Sequence, residues 1–159
     1  MIRISTLALL LLALACISQP NVSVSAVGYS SPPAADNPSD HVASLKDKAE
    51  HANPKKRSKI YIEIVAALVD RASKEYKNNQ YDAFTADIHA AGDALTNAID
   101  NAKQYHHDEK RDDLLLDPVE RRLRELVNTV AVQDRPPVAA LLAQVRSARD
   151  MLIQLVFDK

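Results

Sequence analysis

Three groups of residues in this chain could do chemistry. His106-His107-Asp108 is the densest run of potential metal ligands. Metal sites declare themselves by ligand number and spacing. Neighbouring residues on a helix point about 100° apart, and no histidine lies three or four residues from the pair, so the run can close on a metal only from a loop. A solvated polar turn is the simpler reading. His89, at the edge of an apolar helical seam, and Met151, near the inner face of the last helix, form the second group. A bundle could hold haem between them, but no attachment motif accompanies them, and a methionine at a core edge commonly fills a gap. The third group is Lys55, Lys56, Arg57 and Lys59. These cations occupy the first turns of a helix, where they oppose the macrodipole. A cluster kept against that penalty suits contact with an anionic surface or an acidic partner. Arg121, Arg122 and Arg124 are interleaved with Glu120 and Glu125 and read instead as a solvated, salt-bridged face.

Other chemistry is excluded by composition. Gly28 and Gly92 are the only glycines. A phosphate-cradling loop, a dinucleotide fingerprint and a nucleophile elbow each need several at fixed spacing. The acids on the helices carrying Glu63, Asp87 and Asp93 lack the Glu-x-x-His spacing of di-iron bundles. The serines carry no local catalytic signature, so the sequence reads as a non-enzyme without a cofactor. Twenty Lys and Arg stand against 21 Asp and Glu, for a formal net charge of −1. With no Trp either, neither an electrostatic grip on nucleic acid nor stacking of bases is expected.

The N-terminus reads as an export signal. Arg3 precedes an apolar run from Ile4 to Ala15, about the length of a secretory core segment and too short to span a bilayer. Small-x-small sites place cleavage after Ala15 or after Ala26, giving a signal peptide over residues 1–26. Ala13-Leu14-Ala15-Cys16 also resembles a bacterial lipobox, in which Cys16 would carry the lipid. Cys16 is the only cysteine. The mature domain must therefore be stabilised by its core and not by disulfides. Ile17 to Asp40 is rich in Ser, Pro, Ala and Asn and has no apolar period, and residues 27–40 read as a flexible tether.

From there the elements are helical. Tyr81, Phe84, Ile88, Ala91, Leu95, Ala98, Ala102 and Tyr105 alternate by three and four, the seam of a helix packed lengthwise on others. Tyr61, Ile64, Val65, Leu68, Ala72 and Tyr76 do the same before it. Leu116, Val119, Leu123, Leu126 and Val130 follow, then Val138, Leu141, Val145, Ala148, Leu152 and Leu155. Asn53-Pro54 and Asp134-Arg135-Pro136-Pro137 are helix boundaries. Asn78 and Asn79 end a helix through their tolerance of left-handed backbone. A short helix over Val42, Leu45, Ala49 and Ala52 precedes these. The polar run His106–Asp113 breaks the seam as a loop or a projecting end, and Asp117-Pro118 can restart the helix, the alternative being a continuous helix from Glu109 kinked at the proline. Gly92, amid alanines, marks close approach of a neighbouring backbone. The expected fold is all-α: an antiparallel four-helix bundle over residues 41–159, with that short helix in front of it. The expected role is a non-catalytic interaction or structural module of the bacterial envelope. The other reading is a carrier holding a small ligand, metal or haem inside the bundle.

Overall fold

The computed structural model describes residues 38–106 and 108–157. The leader, Cys16, the first part of the linker and His107 lie outside these residues. Five α-helices make up the described chain: α1 (Pro38–His51), α2 (Pro54–Lys77), α3 (Tyr81–Tyr105), α4 (Glu109–Thr129) and α5 (Arg135–Phe157). One 3₁₀ turn, Val132–Asp134, joins the last two, and no strand occurs among the described residues. None of these helices is long and apolar enough to cross a membrane.

Local chemistry sets the ends. The Asn53 side chain accepts a hydrogen bond from the Lys55 amide at 3.0 Å, and Pro54 occupies the first turn of α2. Asn78 caps α2 and Asn79 turns left-handed at φ 61°, so α3 reverses onto α2 after three residues. Tyr76 then fastens that corner. Its ring meets Tyr81 and Phe84 edge-on, with centroids 5.4 and 5.0 Å away. Its hydroxyl donates to Asp134 and accepts from the Ala131 amide, which ties the α4–α5 connection to the end of α2.

The seams are buried as their spacing requires except at helix ends, where Tyr81 is exposed and Tyr105 and Leu155 are half-buried. Phe84, Ile88, Ala91, Leu95, Ala98 and Ala102 of α3 enter one core with Ile64, Val65, Leu68 and Ala72 of α2. Leu116, Val119, Leu123 and Leu126 of α4 and Val138, Leu141, Val145 and Leu152 of α5 close it. Each fully buried aliphatic side chain stabilises by about 1.5–3 kcal/mol, and that sum replaces the missing cross-links.

Pairings between charged residues give the directions. Arg71 meets Asp87, and Arg149 meets Asp113 and Asp117 while Arg146 meets Glu120, so α2/α3 and α4/α5 run oppositely. Asp70 meets Arg122 and Tyr76 meets Ala131, so α2 and α4 run the same way. Gly92 lies opposite Leu141 and Gln144, and Leu95 to Lys103 face Gln144 to Met151, so α3 and α5 are also parallel. The first turns of α2 and α4 are therefore side by side, and α1, packed on α2, brings its C-terminal end to the same corner.

Between α3 and α4 the structure follows the continuous alternative and not the polar turn that restarts at Asp117. α4 begins at Glu109 and runs unbroken through Pro118. Proline cannot bond the carbonyl four residues back, that of Leu114, and Leu114 is 63% exposed, where water can take the bond. Glu109 and Asp112, read as solvated, are 2% and 1% exposed. Parallel packing of α4 against the start of α2 buries them, and no local pattern encodes that. Gly92 differs as well. A Cβ there would meet the Gln144 side chain at 3.2 Å and no backbone of the neighbouring helix within 4 Å.

Candidate functional site

The corner where α1 ends and α2 and α4 begin holds a cleft of about 290 Å³. Lys48 comes from the last turn of α1, Lys55, Lys56, Ser58 and Lys59 from the first turns of α2, and Asp108, Arg111 and Asp112 from the start of α4. Five basic side chains face three acidic ones, Glu63, Asp108 and Asp112, so the cleft is electropositive. One pair is internal: Lys59 Nζ lies 3.5 Å from Glu63 Oε1 one turn on. Lys48, Lys55, Lys56 and Arg111 are exposed, and among the described residues none of the four has an ion-pair partner.

Of the sequence-selected cations, Lys55 and Lys56 therefore remain available. Arg57 does not. Its guanidinium donates to the Ala52 and Glu50 carbonyls at 3.1 and 3.3 Å, satisfying the C-terminal end of α1. That end favours a cation, which explains an arginine at a position where the dipole of its own helix does not. Lys59 is half-buried and engaged with Glu63. Lys48 and Arg111 join the cleft only through tertiary packing.

Asp112 is the unusual member. Neither carboxylate oxygen has a hydrogen-bond partner of good geometry, although the side chain is buried. Burial pushes its carboxyl above the ordinary range, the nearby Ser58 hydroxyl draws it back, Asp108 and Glu109 raise it further, and the adjacent Arg111 lowers it. Ser58 is itself 4% exposed. A buried carboxyl without partners costs about 1–3 kcal/mol. Strained backbone lies next to it: His106 and Asp108 both adopt left-handed conformations, at φ 43° and 57°.

Of the metal candidates only His106 and Asp108 are described. His106 Nδ1 lies 3.8 Å from Glu109 Oε1, and among the described residues no three His, Cys, Asp or Glu side chains gather around a common point. His107 is outside those residues. The haem pair does not form either: His89 is exposed, and Met151 lines a separate groove between Leu95–Lys103 and Gln144–Ala148.

Two buried ionic assemblies lie elsewhere and hold helices together. Arg71 donates to both carboxylate oxygens of Asp87 at 2.5 Å, joining α2 to α3, and Glu75 stands beside them, its carboxyl raised by burial and by Asp87. Glu120 receives Arg124 and Arg149 at 2.6 Å and Arg146 at 3.1 Å. Arg124 most of all, then Arg149 and Arg146 against the opposing effect of burial, holds the Glu120 carboxyl down at about 2. Arg122 reaches Asp70 on α2. The arginine face of α4 is exposed and salt-bridged, as its sequence suggested: Arg121 and Arg124 pair one turn back with Asp117 and Glu120, Arg122 crosses to α2, and Glu120 is the buried anchor.

Compared with the models of known protein families, with curated proteins and with solved structures, the chain matches none.

Proposed function

We propose that the chain is an exported, non-catalytic module of the bacterial envelope that binds an anionic group through the corner built by Lys48, Lys55, Lys56 and Arg111. In this reading residues 1–26 direct export, Cys16 is the acceptor if a lipid anchor is added, and the linker before α1, which begins at Pro38, tethers the domain. The helical domain is a four-helix bundle of α2 to α5 with α1 laid against α2. The observation that carries the reading is the gathering of four exposed cations without ion-pair partners around one cleft. The other arginines of α2, α4 and α5 that pack near neighbouring helices, such as Arg71, Arg122, Arg146 and Arg149, are matched by carboxylates. Unmatched cations at a helix N-terminus repel one another and the dipole, and an anionic partner removes both penalties.

The test is charge reversal. Lys55→Glu/Lys56→Glu is expected to abolish sedimentation with phosphatidylglycerol vesicles at low salt, whereas Lys46→Glu/Lys103→Glu on other faces should leave it within two-fold. Equal losses in both variants would reduce the effect to net charge and overturn the assignment. A ligand-carrying role has its own support in the buried Asp112, at this corner and not in the bundle interior.

A further inference from the structure

We infer that the end of the bundle where α2 and α4 begin and α5 finishes is a docking face for an anionic bilayer: Ile153 and Phe157 enter the headgroup boundary while Lys48, Lys55, Lys56 and Arg111 meet lipid phosphates. For the cations this rests on the anion-binding reading above. It adds an apolar contact that a soluble anion does not use.

Helix directions bring the two features together. α2 and α4 run the same way and α5 runs against α4, so the last turns of α5 lie at the end that carries the cationic cleft, with α4 between them. From Met151 to Phe157, α5 has no charged side chain. Arg149, Ile153 and Phe157 stand four residues apart and share one stripe of that helix. Arg149 is held by Asp113 of α4. Beyond it, toward the end of the bundle, Ile153 is 42% and Phe157 82% exposed. Single exposed apolar residues are ordinary, but here they gather. Among the described residues, three of the five exposed large apolar side chains, Leu114, Ile153 and Phe157, belong to this end. The other two, Tyr81 and Val132, lie at the opposite end, close in sequence to Asp82 and Asp134.

Exposed apolar side chains beside cations match the layering of a bilayer surface, with anionic headgroups outermost and hydrocarbon about 5–10 Å beneath them. The cations draw the chain to the surface over roughly a Debye length, about 10 Å, and burial of the Phe157 ring holds it there. None of the described helices is long and apolar enough to cross a membrane, so the contact is peripheral. A second copy docked on the same end about a two-fold axis would set these cations against one another, which disfavours self-pairing.

The chain has no Trp, so a single introduced one reports its own surroundings. With phosphatidylglycerol vesicles at low salt, the emission of Phe157→Trp is expected to shift to the blue and to be quenched by brominated acyl chains. Tyr81→Trp, at the far end, should show neither effect, and phosphatidylcholine vesicles should leave both variants unchanged. Ile153→Ser/Phe157→Ser should weaken binding to phosphatidylglycerol vesicles by about ten-fold or more, while its thermal melt stays close to that of the wild type. Unshifted Phe157→Trp emission on vesicles that do bind the chain would overturn the inference, as would wild-type affinity in the serine pair. If that binding is still lost in Lys55→Glu/Lys56→Glu, the anion-binding corner stands without the bilayer insertion. Absence of wild-type binding to any vesicle would also overturn the docking face, and saturable shifts at the corner with inorganic phosphate would then uphold the cations alone.

Discussion

Asp112, in the first turn of α4, lies against the buried Ser58 of α2 with neither carboxylate oxygen closing a hydrogen bond. Two helix starts that run in the same direction bring them together, and four lysines and an arginine line the same cleft. The arrangement sacrifices stability at one place, and perturbed carboxyls of this kind cluster at functional sites.

Removing the Asp112 charge should stabilise the protein. Its carboxyl is raised in the folded chain, so above the ordinary value of 3.8 the folded state holds a proton that the unfolded state has lost. Stability therefore falls as pH rises from that value toward the folded one. Asp112→Asn is expected to gain about 1 kcal/mol at pH 7, a few degrees in Tm, and almost nothing at pH 3. Thermal melts at the two pH values check this.

Glu120 should behave in the opposite sense. Three arginines hold its carboxyl at about 2, well below the ordinary 4.5. Its contribution is complete above 4.5 and is lost as pH falls through 2. Linkage puts that contribution on the order of 3 kcal/mol. Glu120→Gln should cost about that much at neutral pH, and its melting temperature should converge on that of the wild type near pH 2.

The Arg71–Asp87 pair makes a prediction about pairing and not about charge. Arg71→Met leaves the buried Asp87 carboxylate without its grip and should cost about 3 kcal/mol. Arg71→Met/Asp87→Leu should recover most of the loss, because a well-packed apolar pair is close to neutral against a buried ion pair. A double-mutant cycle by urea denaturation measures the coupling.

Gly92 offers a gain. Alanine is favoured over glycine in a helix interior by about 1 kcal/mol. The Cβ would meet only the mobile end of the exposed Gln144 at 3.2 Å, and that side chain can swing aside. Gly92→Ala is expected to raise stability by up to about 1 kcal/mol. A loss would mean that Gln144 is fixed more firmly than its exposure implies.

Much of the helical frame was legible in the amino-acid order because its determinants are local. Three-four spacing marked the apolar seams, and Asn53-Pro54, Asn78-Asn79 and Asp134 to Pro137 marked helix ends with caps and prolines. Half of the site was legible for the same reason: Lys55 and Lys56 stand out against the helix dipole. Arg57 looked identical to them, and only the C-terminal carbonyls of α1 separate it. Lys48, Arg111 and Asp112 were not legible, since their meeting depends on α2 and α4 lying parallel. The polar run before Leu114 looked solvated because burial of Glu109 and Asp112 leaves no periodic trace. One tertiary feature did leave a signal: Asp87 interrupts the stripe of Phe84, Ile88 and Ala91, and a charge in an apolar seam calls for a partner across it.

The most direct measurement of the central claim, that one corner recognises an anion, is an amide NMR titration of the folded chain with inorganic phosphate. The account predicts saturable shifts concentrated at Lys48, Lys55, Lys56, Ser58, Arg111 and Asp112. Shifts spread evenly over exposed lysines such as Lys46, Lys74, Lys77 and Lys103, or no saturable shift at the corner, would contradict it.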